Sequence, residues 1–155
     1  MKSGFTLIEL LVVLTIIGVL AGLTVLTLGG GEARRLQEEA ARICTVLKAA
    51  EDEATFRNLK IGLTLAPDAY SFMFYDEAKK QWQPLNQGAF RQHKLEKMTL
   101  EIPRMRTRDD APPPVIFYPH GEKTPFAFKL SAERLPTRYK IVSDGISATS
   151  CNQDE

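Results

Sequence analysis

The sequence predicts an α+β fold: a long N-terminal helix, with a transmembrane half and an amphipathic half, packed on an antiparallel β-sheet domain. Three observations lead there. Residues 5–28 form an almost uncharged apolar run; residues 33–54 space their apolar side chains by threes and fours; and from residue 61 onward short alternating segments are separated by turn residues. A long helix followed by a run of strands, rather than alternation of the two, is the α+β pattern.

The 155 residues suffice for one domain of ordinary size. With 44% hydrophobic and 25% charged residues and a net charge of +1, the chain has no compositional sign of disorder, a collagen-like repeat or a polyanion-binding tail. The charge is unevenly placed. Between residues 5 and 28 the one ionisable side chain is Glu9, and nearly all other charges follow Gly31.

As a helix, residues 5–28 would be about 36 Å long, enough to cross a ~30 Å hydrocarbon core. A secretory signal peptide would have a shorter apolar region and a small-residue cleavage site, and Ala21-Gly22-Leu23 makes a poor one. A plain membrane anchor is at odds with Glu9, because a carboxylate inside a membrane segment costs about 2.5–3.5 kcal/mol on insertion scales. Cleavage between Gly4 and Phe5 would supply the missing partner. The new α-ammonium group of Phe5 would lie one turn from Glu9, or from Glu9 of a neighbouring subunit.

The segment Lys2-Ser3-Gly4-Phe5-Thr6-Leu7-Ile8-Glu9 resembles the class III signal of type IV pilins and of the pseudopilins of type II secretion. The resemblance implies a type IV pilin-like fold. It implies that a membrane prepilin peptidase cuts after Gly4 and that Phe5, the new N-terminus, is N-methylated. It also implies that Glu9 guides subunit docking. Residues 1–4 are then a cleaved leader and residues 5–28 a transmembrane and assembly helix. Basic residues alone do not orient the span, since Lys2 precedes it while Arg34 and Arg35 follow. The resemblance implies a single-pass protein of the bacterial inner membrane with its globular domain in the periplasm, incorporated into a periplasmic pseudopilus.

Gly29-Gly30-Gly31 predicts a flexible or unwound joint, each glycine costing a helix about 1 kcal/mol relative to Ala. Residues 32–155 form the globular domain. Its helix resumes with Ala33, Leu36, Ala40, Ile43, Leu47, Ala50 and Ala54 on one face and charges on the other. Strands are expected at 61–65 and 69–75 around the Pro67-Asp68 turn, then at 81–85, 98–102, 115–118, 126–130 and 139–142. Asp144-Gly145 predicts a hairpin turn that pairs 146–149 with the strand before it. The proline-rich loop 103–114 is expected to be extended and exposed.

Three further blocks sharpen the resemblance. Ala69-Tyr70-Ser71-Phe72-Met73, Trp82-Gln83-Pro84-Leu85, and the stretch from Ile116-Phe117-Tyr118-Pro119-His120-Gly121 to Glu122-Lys123-Thr124-Pro125-Phe126 are similar, in this order, to the H-type minor pseudopilins (GspH) of type II secretion. In structural terms Pro119 and Gly121 mark a turn, and Trp82 and Phe126 mark core positions. The resemblance implies a minor subunit at or near the pseudopilus tip that helps export folded proteins across the outer membrane. Its implied partners are the major and minor pseudopilins, the prepilin peptidase and the inner-membrane assembly platform. The alternative is a minor type IV pilin serving pilus assembly, adhesion, twitching or DNA uptake.

No catalytic motif is present, and no cofactor or metal site is expected. His120 reads as a solvated loop histidine and Asp109-Asp110 as a solvated acidic pair rather than a calcium site. Arg104, Arg106 and Arg108 alternate and would line one face of an extended segment. The adjoining Asp109-Asp110 and the net charge of +1 argue against nucleic-acid binding. With the domain outside the cytoplasm, a Cys44–Cys151 disulfide is chemically allowed; the other reading is two independent thiols.

Overall fold

The computed structural model describes residues 7–103 and 112–154; for residues 20–30 it describes the backbone only. The chain falls into two compact units, 1–35 and 36–155.

Helix α1 spans Leu7–Arg57. The expected joint at Gly29-Gly30-Gly31 is corrected here, because α1 is helical throughout these residues. An interruption would create two new helix ends with unpaired backbone groups, whereas carrying an established helix across costs only about 1 kcal/mol per glycine. In the second unit α1 buries Leu36, Ala40, Ile43, Leu47, Ala50 and Ala54, the face predicted from spacing, together with Val46. Ala33, placed on that face by spacing alone, is exposed.

Among the described residues the strands form two antiparallel sheets rather than one. The first has β1 (Ile61–Ala66), β2 (Ala69–Asp76), β3 (Gln81–Pro84) and β6 (Val115–Phe117) in the order β3-β2-β1-β6, and the two-residue β4 (His93–Lys94) also pairs with β2. The second has β5 (Met98–Glu101), β7 (Phe126–Ala132), β8 (Arg138–Ser143) and β9 (Ser150–Asp154) in the order β5-β7-β8-β9. The Pro67-Asp68 turn sits between β1 and β2, where it was expected, with Ala66 opposite Ala69. The Pro67 oxygen also ties the two sheets together by accepting from the Leu100 amide of β5, while the Asp68 oxygen accepts from the Leu95 amide just after β4, each at 2.7 Å.

One core joins all three layers. Ile43 and Leu47 of α1 meet Leu63, Leu65, Tyr70 and Phe72 of the first sheet and Leu100 and Phe128 of the second, with no room left for a water molecule. Period-two alternation explains the choice: in β7, Phe126, Phe128 and Leu130 are buried while Ala127 and Lys129 between them are not.

Two placements differ from expectation. Trp82 lies outside the core cluster, half-buried, with its ring edge-to-face on Tyr75 at 5.3 Å. Gly62, opposite Met73 in β1, makes room for it. A Cβ there would come within 3.0 Å of Trp82 and nearer still to the Pro113 ring. The second difference concerns residues 146–149, which belong to the turn, and the strand they were expected to form is β9, four residues later. The Asp144 carboxylate accepts hydrogen bonds from the Ile146 and Ser147 amides, at 2.9 and 2.7 Å, and from the Ser147 hydroxyl. These bonds commit the residues to a wide turn, so pairing resumes only at Val142–Ser150.

The same bonds hold the Asp144 carboxyl down at about 2, the Ile146 and Ser147 amides being the main cause. A depressed carboxylate stabilises the turn fully above its ordinary value near 3.8, and this contribution is lost as the pH falls through about 2. Acid titration followed by NMR should move the Ile146 and Ser147 amide resonances with a midpoint near 2. A midpoint at the ordinary aspartate value would show that the carboxylate does not cap this turn.

Candidate assembly surfaces

In the first unit, the described side chains of α1 leave their apolar surface open on every side. Leu7, Ile8, Leu10, Leu11, Leu14, Ile17 and Val19 are all exposed, Leu7 to 86%. A helix covering its own domain keeps one polar face; a helix apolar all round needs lipid or other protein around it. Glu9 stands in the first turn of this surface. Among the described residues no helix is long and apolar enough to cross a membrane; the side-chain description of this stretch ends at Val19. Gly4 and Phe5, the predicted cleavage junction and methylation site, lie outside the described residues. Arg104, Arg106, Arg108, Asp109 and Asp110 also lie outside them.

In the second unit Cys44 of α1 and Cys151 of β9 are joined by a disulfide, with Cα atoms 6.5 Å apart and a sequence separation of 107. Spacing on the helix accounts for half of this. Cys44 follows the buried Ile43 and is itself half-buried against the core.

Two close polar pairs that sequence reasoning missed also fasten α1 to the sheets. Lys123 Nζ lies 3.1 Å from Glu51 Oε1, with the lysine side chain wholly inaccessible and the glutamate 28% exposed. Glu39 Oε1 lies 3.0 Å from His93 Nε2. Both separations are short, yet neither Lys123 Nζ nor Glu39 Oε1 has the geometry of a hydrogen bond, so the attraction between Lys123 and Glu51 is Coulombic. The His93 ring leans on Tyr70 at 5.3 Å. Burial, reinforced by the nearby Glu39 charge, pushes the Tyr70 hydroxyl up to about 12, with Arg42 opposing. Nothing in the spacing of Glu39, Glu51, His93 and Lys123 marks them as partners, since 54 and 72 residues separate the pairs.

The motif residues serve this architecture. Tyr70, Phe72, Phe117 and Phe126 are core side chains. Gly121 turns the chain at φ +88, and its amide donates to the Tyr118 carbonyl at 3.1 Å. His120 is exposed, stacked on Tyr118 and 3.1 Å from Glu122.

Comparison with known proteins gives the same picture. Residues 1–25 match the prokaryotic N-terminal methylation motif, and residues 39–145 match the type II transport protein GspH family. A protein named type II secretion system protein H from Pseudomonas aeruginosa is 36% identical, over 93% of this chain and 92% of its own. One of the same name from Aeromonas hydrophila is 27% identical over 99% and 95%. The fold is similar to the solution structure of Escherichia coli GspH, with a TM-score of 0.63 and 22% identity over 77% of this chain and 88% of that one. It is also similar to the minor pseudopilin EpsH of Vibrio cholerae, with a TM-score of 0.61 and 14% identity over 76% and 94%.

Proposed function

The chain belongs to the GspH family, the minor pseudopilins of the type II secretion system, and from that premise we propose how its parts work. The unprocessed chain is stored in the inner membrane by its N-terminal helix, with residues 36–155 in the periplasm. Prepilin peptidase cuts between Gly4 and Phe5, and Phe5 is N-methylated. The Phe5 amino group and Glu9 then register the subunit against its neighbours at or near the filament tip, beside the assembly platform, and the filament helps export folded proteins across the outer membrane. As a pseudopilin the chain associates with other pseudopilins.

The observation that carries this reading is the all-round apolar surface of α1 with one carboxylate in its first turn. Such a surface suits lipid before assembly and other subunits' helices afterwards. The carboxylate is costly in either setting unless a cation meets it. Deletion of the gene in the source bacterium should leave folded exoproteins in the periplasm while twitching and DNA uptake proceed normally. Normal secretion with failed twitching or uptake would assign the chain to a type IV pilus instead.

A sharper test addresses docking. Glu9→Ala should be processed at Gly4 as the wild type is, but should enter the filament poorly, at about a tenth of the wild-type level or less if pairing contributes ~1.4 kcal/mol or more. Cross-linking to neighbouring subunits would measure it, and wild-type incorporation would remove Glu9 from the mechanism.

A further inference from the structure

The disulfide joins two elements of unequal security. Cys44 sits in α1 next to the buried Ile43 and one turn from the buried Leu47, half-buried at the margin of the helix face that packs on the core. Cys151 sits in β9, an edge strand paired on one side only, with β8. None of the five residues of β9 is fully buried, and Cys151 is its one apolar side chain against the core. Apart from backbone pairing and an ion pair between Lys129 and Asp154, little else holds this strand. A short edge strand without a buried face is marginal in water, since strand pairing alone barely offsets the entropy of ordering it.

We propose that the Cys44–Cys151 disulfide is a redox latch for β9. Oxidised, it holds the strand on β8; reduced, β9 detaches while α1 and the rest of both sheets stay folded. In closing the latch, each thiol gives up a proton and the sulfurs together give up two electrons to an acceptor disulfide of the thiol-oxidoreductase class, which becomes a dithiol. Opening is the reverse, by a dithiol reductant. The fold explains why the effect is local. The core cluster of α1, β1, β2, β5, β6, β7 and β8 takes from β9 only the partly buried Cys151. Release of β9 would uncover the edge of β8 (Arg138–Ser143), which could then pair with a strand of another chain. The latched form therefore presents the outer edge of β9, rather than that of β8, to neighbouring subunits, and a thiol-oxidation step should precede assembly. The latch itself is independent of the secretion reading.

The test uses the full chain, folded and oxidised in detergent micelles, and then reduced with dithiothreitol, with amide hydrogen exchange followed residue by residue. Reduction should accelerate exchange in β9, and at the β8 amides facing it, by about tenfold or more. Amides in the middle of α1 (residues 43–50) and in β1 should keep their rates. Cys151→Ser, made without reductant, should reproduce the pattern and so separate the bond from any effect of the reagent. Unchanged exchange in β9 would overturn the proposal, showing that the sheet alone holds the strand. Equal acceleration throughout residues 36–154 would overturn it as well, showing that the bond supports the whole fold. Secretion assays do not enter, so either failure is distinct from failure of the proposed function.

Discussion

Glu51→Ala should destabilise the globular domain by about 3–5 kcal/mol, the usual loss when one partner of a buried ion pair is removed and the other stays charged. The effect should be lopsided. Lys123 Nζ is inaccessible, while Glu51 is 28% exposed and can be reached by water. Without Glu51 the ammonium is left buried with no hydrogen bond and no counter-charge. Without Lys123 the carboxylate keeps partial hydration, so Lys123→Met, which preserves the apolar stem, should cost only about 1–2 kcal/mol. The double variant Glu51→Ala/Lys123→Met should recover much of the loss, because no buried charge remains. Urea unfolding of the full chain in detergent micelles reads all three. Equal losses from the two single variants would mean that the lysine finds solvent or another partner.

Gly145→Ala should cost about 3 kcal/mol, from two sources that add. At φ +97 the backbone is in a region that residues with a Cβ rarely adopt. The new methyl would also lie 2.7 Å from the Lys123 carbonyl oxygen and 3.1 Å from Pro125 Cγ. Neither neighbour can yield freely, because the Lys123 amide donates to the Gly145 carbonyl at 2.9 Å. Gly121 supplies the control. Its φ is +88, but no atom lies within 4 Å of the position a Cβ would take. Gly121→Ala should therefore show the strain alone, about 1–2 kcal/mol. If the two alanine variants unfold at the same urea concentration, close approach is not what the Asp144-Gly145 turn requires of its glycine.

These two predictions meet at one place in the molecule. Lys123 is held through its side chain by α1 and through its backbone by the turn after β8, and it bridges to Phe117 at the end of β6. Helix, first sheet and second sheet are thus fastened at a residue that the sequence presents as an ordinary lysine in a turn. Its significance arises from contacts with residues 72 positions earlier and 22 later in the chain.

What the sequence determined by itself was whatever depends on neighbours along the chain. The apolar run with Glu9, the helical face from Leu36 to Ala54, the Pro67-Asp68 turn and the alternation in β2 and β7 are local patterns of period 3.6 or 2, and the family motifs are local strings. Tertiary structure decided the rest. The division into two sheets depends on which edges meet, as do the short β4 and the removal of Trp82 to the outer face over Gly62. The start of β9 depends on how many residues the Asp144 turn consumes. Continuity across Gly29-Gly30-Gly31 follows from the helix on either side, which propensity read residue by residue does not count. The Lys123–Glu51 pair is the plainest case: a charge becomes a structural partner only once folding has removed the water around it.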